Sequence, residues 1–478
     1  MAKILTIAQS KLLMEEPHNC TDAKDVLTIF TSLFDSLVAY DPKMNYVPAL
    51  AESWVVSEDA CTWNFTLRPG VTFHNGQAAD AEAVVFSLNR MARPDMGVTL
   101  GAPGVYNQYL AGMELEILNR QTVQLTLAQP LADLLDILVT GYILPPEIVE
   151  RLGDGFKAAP VGTGPFEFVE HEQGVRVRAK KNHTYFQALP DYDAVEWLLV
   201  ADPDERLRMV KNGKAHIAAG PPYTVSLEDH TLNYVRSRGS TVYIIIFNVK
   251  SGPLQDPRVR RALNLGVDRK ALIDSVLNGA GYPLSGFISP VHFGFDPGHT
   301  AIIFDPNRAK ALLKESGYSE GLSLTLDSPT SLPNEAVRLS EALSDQLAQI
   351  GVQINIIYTE DREQYANKVR LKDIHDMCVF DSSPLSTFRV LKEKVDARFE
   401  GSWWQGYHNE EVETLLDTAQ ATTDDSRRKA IYQQCFRLLN EDPPWLYLYN
   451  AMNITCTAPH LSAWQLPAHG VIDPRYVG

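Results

Sequence analysis

The chain reads as an α/β protein of two lobes, the first rich in β-strands. Three observations predict this. The 478 residues exceed what one hydrophobic core usually supports. Up to about residue 240 short alternating strands dominate, and beyond it amphipathic helices alternate with apolar strands. The chain then ends in strands again, so it crosses between the lobes twice, near 237–246 and 445–452. The expected division is 1–240 plus 449–478 for lobe 1 and 241–448 for lobe 2. Two such crossings make a hinge, and ligands usually bind in the cleft between lobes.

The elements follow in order. Lys3-Ile4-Leu5-Thr6-Ile7-Ala8 is a first strand. In "TWNFTLRPGVTFHNG" (62–76), Trp63, Phe65 and Leu67 share one face of a strand, Arg68-Pro69-Gly70 turns, and Val71-Thr72-Phe73 opens a partner strand. Asp80 caps a helix through "AEAVVFSLNRM", with Val84, Val85 and Leu88 at helical spacing. "ELEILNRQTVQLTLAQP" (114–130) is a second hairpin. "VGTGPFEFVEHEQGVRVRAKKNHTYF" (161–186) is a tight glycine turn followed by paired strands, and "EWLLVAD" (196–202) is a further strand.

"TVYIIIFNV" (241–249) is a continuous apolar run, which predicts a strand buried on both faces of a largely parallel sheet. Capped helices are expected at 256–279, 305–318 and in 333–357, the last passing through Gly351 into a strand. "NEEVETLLDTAQ" and "DDSRRKAIYQQCFRLLNED" add two more, before the strand "PWLYLYNAMNITCTA" (444–458).

Composition excludes several functions. The formal charge of −16 argues against a general binder of nucleic-acid phosphates. No apolar run approaches the roughly 18 residues that span a bilayer. The five cysteines include no C-x-x-C pair; they read as buried small hydrophobes, with one disulfide open to an oxidising compartment. "GTGPFE" fails as a dinucleotide loop because Glu167 stands at the third glycine position. "HEQGV" fails as a zinc motif because Val175 replaces the second histidine. No Walker loop or G-x-S-x-G elbow is present, and the twelve histidines are scattered. No catalytic residue, metal ligand or cofactor is expected.

Five stretches together carry a resemblance: "LFDSLVAYD…YVPALAESWVVSEDACTWNFTLRPGVTFHNGQAADAEAVVFSLNR" (33–90), "PVGTGPFEF" (160–168), "FNVKSGPLQDPRVRRALNLGVDRKALID" (247–274), "FDPNRAKALLKESGY" (304–318) and "QLAQIGVQINI" (346–356). The set resembles the family 5 extracellular solute-binding proteins of bacterial ABC importers, whose ligands include dipeptides, oligopeptides, nickel chelates and opines. The resemblance implies the two-lobed periplasmic binding protein fold, with the first lobe enlarged by an inserted β-rich subdomain at roughly 40–180, and hinge closure over a small-molecule ligand. It also implies delivery to an ABC permease in the inner membrane, a monomer, and export to the periplasm by a leader that this sequence lacks. It implies no chemistry on the ligand and no nucleic-acid partner.

Candidate ligand residues follow partly from the resemblance. "MCVFDSSPLSTFRVLKEKV" (377–395) begins as a buried strand and opens onto polar groups. In peptide-binding relatives an acid at this strand end pairs with the peptide amine, and Asp381 is the match. Phe380 stands where nickel-chelate relatives carry an aromatic. Ser382 and Ser383 replace the usual Gly, Asp, Pro and Asn; their hydroxyls suit anionic or sugar oxygens, and Arg389 suits a carboxylate or phosphate. Trp403 and Trp404 cannot both face one core easily, so one offers a flat stacking face. From lobe 1 come Thr21, Asp22, Lys24 and Tyr223; Asn248 lies just past the hinge strand, and Tyr106 and Asn107 are weighed for the cleft mouth. The expected ligand is a short peptide or a peptide-like anionic conjugate of opine or sugar-phosphate type. The alternatives are a metal chelate such as a nickel complex, a hydrolase using the same cleft, and a receptor that signals through its closed form.

Overall fold

The computed structural model describes residues 2–20, 23–97, 104–222, 232–298, 301–331 and 335–478. The chain forms two compact units, Met1–Ser237 with Asn453–Gly478, and Arg238–Met452. The strands Asn233–Phe247 and Trp445–Thr457 carry the backbone from one unit to the other.

In the first unit, Ile4–Gln9 pairs in parallel with Ala194–Leu199 and with Ile217–Ala219. Arg176–Lys181 and Phe166–Glu172 extend this sheet antiparallel. Leu5, Ile7, Val177, Val195 and Trp197 meet Phe30, Leu33 and Phe34 of the helix Lys24–Leu33 and its end, and the tail adds Leu461, Trp464, Val471 and Ile472 to the same core. The glycine word has a steric cause. A Cβ at Gly162 would lie 2.0 Å from the Leu33 carbonyl oxygen, and one at Gly164 2.5 Å from that of Ser32. The loop therefore passes against the helix end too closely for any side chain.

A separate four-stranded antiparallel sheet runs in the order Ala51–Val56, Thr62–Leu67, Thr122–Thr126, Glu114–Asn119. Trp63, Phe65 and Leu67 are buried as their period-two spacing requires. Asp80 caps Ala81–Met91 through its carboxylate, which accepts from the Glu82 amide. The expected partner strand at 71–73 does not form. Thr72 makes only an isolated bridge to Ala78, and Thr62–Leu67 takes its partners from Ala51–Val56 and Thr122–Thr126 instead.

In the second unit, Leu322–Pro329 lies parallel to Val352–Thr359 and to Met377–Ser382. Asn233–Phe247 is antiparallel to Met377–Ser382. The sheet is thus mixed rather than largely parallel, because both strands that carry the chain across run against their neighbours' direction. The predicted helix at 256–279 is two helices, Pro257–Leu265 and Arg269–Leu277. The break is local: Gly266 ends the first, and Asp268 caps the second by accepting from the Ala271 amide. Cys20, Cys378, Cys435 and Cys456 are buried, Cys61 is partly exposed, and no disulfide joins them. No helix among the described residues is long and apolar enough to cross a membrane.

Candidate functional site

The strand Met377–Ser382 is buried at its start, as its apolar residues dictate, and opens at its end. Residues opposite each other in an antiparallel pair share a face. Phe380 faces with Ile244, Asp381 with Tyr243 and Ser382 with Val242. Beyond Ser382 the backbone is clamped. The Ser240 hydroxyl donates to the Ser383 carbonyl at 2.9 Å, and His292 Nε2 lies 3.0 Å from the Pro384 carbonyl. Burial holds His292 down at about 4, so the ring is neutral and donates that bond. The Ser382 hydroxyl is buried with no hydrogen-bond partner among the described residues. Asp381 is half-buried beside Tyr243.

Phe380 is the centre of an aromatic group. Its ring lies 4.4 Å from that of Trp403 and 6.4 Å from that of Tyr365, centroid to centroid. Cations cover this group. The Arg362 guanidinium sits 5.1 Å from the Phe380 centroid and 5.5 Å from that of Tyr365. Arg370 and Lys394 lie 5.6 and 5.7 Å from the Trp403 ring. Nε and Nη1 of Arg362 and Nε of Arg370 are buried and hydrogen-bonded to nothing among the described residues, where neither arginine forms an ion pair. Burial lowers the pKa of Arg370, and the charge of Arg362 pushes it the same way. Two mutually repelling guanidiniums with unmatched N–H groups are thus held over aromatic faces, a set of donors whose chemistry suits an anion with a flat or apolar part.

The predicted residues separate into groups. Phe380, Trp403, Asp381, Ser382 and Ser383 cluster at this strand end. Trp403 is nearly buried against Phe380, whereas Trp404 is half-buried with its indole N–H donated to the Tyr407 carbonyl at 2.5 Å. Arg389 is buried and its Nε is donated to Glu393 at 2.8 Å, one turn along its own helix. Asn248 lies at the other end of the strand pair. Its amide donates to the Ile374 and His375 carbonyls, at 3.2 and 2.9 Å, about five strand residues or roughly 16 Å from the level of Asp381. In the first unit, Lys24 Nζ reaches Asn453 at 3.3 Å and packs against Gly470. Tyr106 belongs to the core, with its hydroxyl on the Thr140 carbonyl at 2.6 Å, and the Asn107 amide bonds the Ala92 carbonyl. Thr21, Asp22 and Tyr223 lie outside the described residues.

Sequence reading missed Arg362 and Arg370. Both sit on the helix Arg362–Arg370, which reads as a surface helix with scattered charge. Their eight-residue separation leaves them about two turns apart and roughly 80° apart around the helix, so the spacing alone does not pair them.

Compared with known proteins, residues 45–387 match the family described as bacterial extracellular solute-binding proteins, family 5 Middle. Among curated relatives, the glutathione-binding protein GsiB of Salmonella paratyphi A is 29% identical over 94% of this chain and 90% of its own. Among solved structures, HbpA2 of Haemophilus parasuis superposes with a TM-score of 0.87 at 23% identity, covering 99% of each chain. The structure of AgaA from A. tumefaciens R10 in complex with agropinic acid gives 0.80 at 25% identity, over 98% of this chain and 97% of that one. The two-lobed α/β class expected from sequence is the class these likenesses share.

Proposed function

The chain belongs to the family 5 bacterial extracellular solute-binding proteins, and we propose from that premise that its solute is a short anionic peptide or peptide-like conjugate. As a family member it is the solute-binding component of an ABC importer. The observation that carries the anionic reading is the Arg362–Arg370 pair over Phe380 and Trp403, with unmatched N–H groups and no carboxylate paired to either arginine among the described residues. A carboxylate there would relieve the repulsion between the cations and fill two guanidinium forks at once. Asp381, half-buried at the same strand end, supplies a counter-charge for an amine. An amine at one end and carboxylates at the other describe a peptide such as glutathione, and equally an opine. The relatives named for glutathione and for agropinic acid support this class.

The protein acts outside the cytoplasm, as a monomer, and binds its solute without transforming it. Ser382, Ser383, Trp403 and Trp404 are the candidate solute contacts beside Phe380 in the second unit. Arg389 supports the turn through its bond to Glu393 rather than touching solute, and Asn248 anchors its own end of the strand.

Calorimetric titration with glutathione, an acidic dipeptide, the same dipeptide amidated at its carboxylates, and a nickel–histidine complex tests the reading. The acidic ligands are expected to bind tightest, and their recovered mass is expected to be unchanged after long incubation. Equal affinity for the amidated peptide would overturn the anionic class. Preference for the nickel complex would select the chelate alternative, and a changed mass would make the protein an enzyme.

A further inference from the structure

The second unit holds a separate cavity of about 390 Å³, within the range of small-molecule sites, that shares no lining residue with the Phe380 cluster. Its walls are chiefly apolar: Tyr282, Leu284, Ile288, Phe295 and three prolines among them. Among the described residues, one charged side chain lines it, that of Arg238, and no carboxylate does. The Arg238 guanidinium lies 3.9 Å from the Tyr282 ring centroid and forms no ion pair among the described residues. Stacking uses the flat face of a guanidinium and leaves its N–H edge pointing outward in the plane, which is the edge a carboxylate grips with two parallel bonds.

The backbone beside Arg238 is fixed from two sides. Buried Asn450 donates its amide to the Gly239 and Thr241 carbonyls, at 2.8 and 2.6 Å, and the Ser289 hydroxyl lies 3.0 Å from the Gly239 carbonyl. The strand Gly281–Pro283 pairs Tyr282 opposite Asn450, so the ring under the guanidinium is held by the same residue. The cation therefore loses little freedom when a partner arrives, and that lowers the entropic cost of binding.

We propose that this cavity is a binding site for a compact carboxylate with an apolar body, an aromatic or branched aliphatic acid, gripped by Arg238 and enclosed by the apolar wall. The chain as a whole repels anions, with a formal charge of −16, so saturable binding of such an acid depends on this local cation.

The test titrates the full chain with benzoate and with its neutral isostere benzamide, followed by calorimetry and ligand-observed NMR. Benzoate is expected to saturate, and benzamide to bind about tenfold weaker or less, the loss expected for a charge-assisted bond. Arg238→Gln is expected to weaken benzoate by about the same factor. Ala301→Trp fills the cavity without touching the cation and is expected to abolish binding; it decides the matter if the arginine variant does not fold. Arg370→Met is expected to leave benzoate affinity within about twofold, since additivity holds between sites that share no partners. Absence of saturation at millimolar benzoate would overturn the proposal. So would wild-type affinity in both cavity variants, or loss of benzoate binding in Arg370→Met, which would place the acid on the Phe380 cluster instead.

Discussion

Replacing Arg370 by Met separates what the cationic pair contributes to folding from what it contributes to binding. The wild-type side chain buries an Nε–H that finds no acceptor among the described residues, a penalty of about 1–3 kcal/mol. It also sits under repulsion from Arg362. Against this stand a cation–π contact with Trp403, about 0.5–1 kcal/mol, and one hydrogen bond from Nη1 to Asn367 at 2.6 Å on an exposed surface. Methionine keeps most of the aliphatic packing on the indole and removes both penalties. The free protein is therefore expected to be as stable as wild type or up to about 1 kcal/mol more stable, a rise of about 2–4 °C for a unit of this size. Affinity for glutathione is expected to fall by about 1.5–3 kcal/mol, the worth of a hydrogen bond to a charged group, or roughly 10- to 150-fold. Arg370→Lys, which keeps the charge and loses the fork, is expected to fall between. Scanning calorimetry without solute and titration calorimetry with glutathione give the two numbers on one preparation. Destabilisation by more than about 1 kcal/mol with unchanged affinity would show that Arg370 is a packing residue, and the reasoning would fail.

Three other perturbations follow from the same geometry. Gly162→Ala forces a Cβ within 2.0 Å of the Leu33 carbonyl and is expected to cost about 3 kcal/mol or more, read from urea unfolding. Burial alone would raise the pKa of Asp396, but bonds from Arg398 and Lys392 outweigh it and bring the carboxyl down to about 2. Its folded value lies below the unfolded value of about 4, so this stabilisation is present above pH 4 and is lost as pH falls through about 2. Asp396→Asn should accordingly lower the melting temperature at pH 7, with the deficit closing toward pH 2. Arg475→Met leaves Asp35 and Asp473 buried without their cation and is expected to cost about 3–5 kcal/mol, seen as early release of the C-terminal tail in hydrogen exchange.

Sequence reading succeeded where local physics decides the outcome. Trp63, Phe65 and Leu67 alternate because a half-buried strand has period two, and Asp80 and Asp268 stand at helix starts because their carboxylates accept exposed amides there. It failed where pairing depends on distant chain. Residues 71–73 resemble a strand, yet the neighbours of Thr62–Leu67 come from both sides in sequence and leave no free edge for them. The candidate site divides the same way. Phe380 and Trp403 were legible as aromatic residues beside turns, and they do meet. Arg389 was legible as a cation near a polar strand end, but its direction was not: helical spacing puts Glu393 one turn away, and the pair closes on itself.

The residues that escaped notice show why a binding site is harder to read than a fold. Helix caps, glycine loops and alternating strands each lower the energy of the chain that carries them, so each leaves a pattern in its own neighbourhood. Arg362 and Arg370 do the reverse. Their buried N–H groups are unmatched among the described residues, and their charges repel, so in the free protein they raise the energy of the helix that carries them. On the proposed reading, that energy is recovered when an anion supplies the missing acceptors. A group that is unfavourable in isolation has no local signature to offer. It becomes visible only when the structure shows Arg362 over Phe380 and Arg370 over Trp403, each without a carboxylate partner among the described residues.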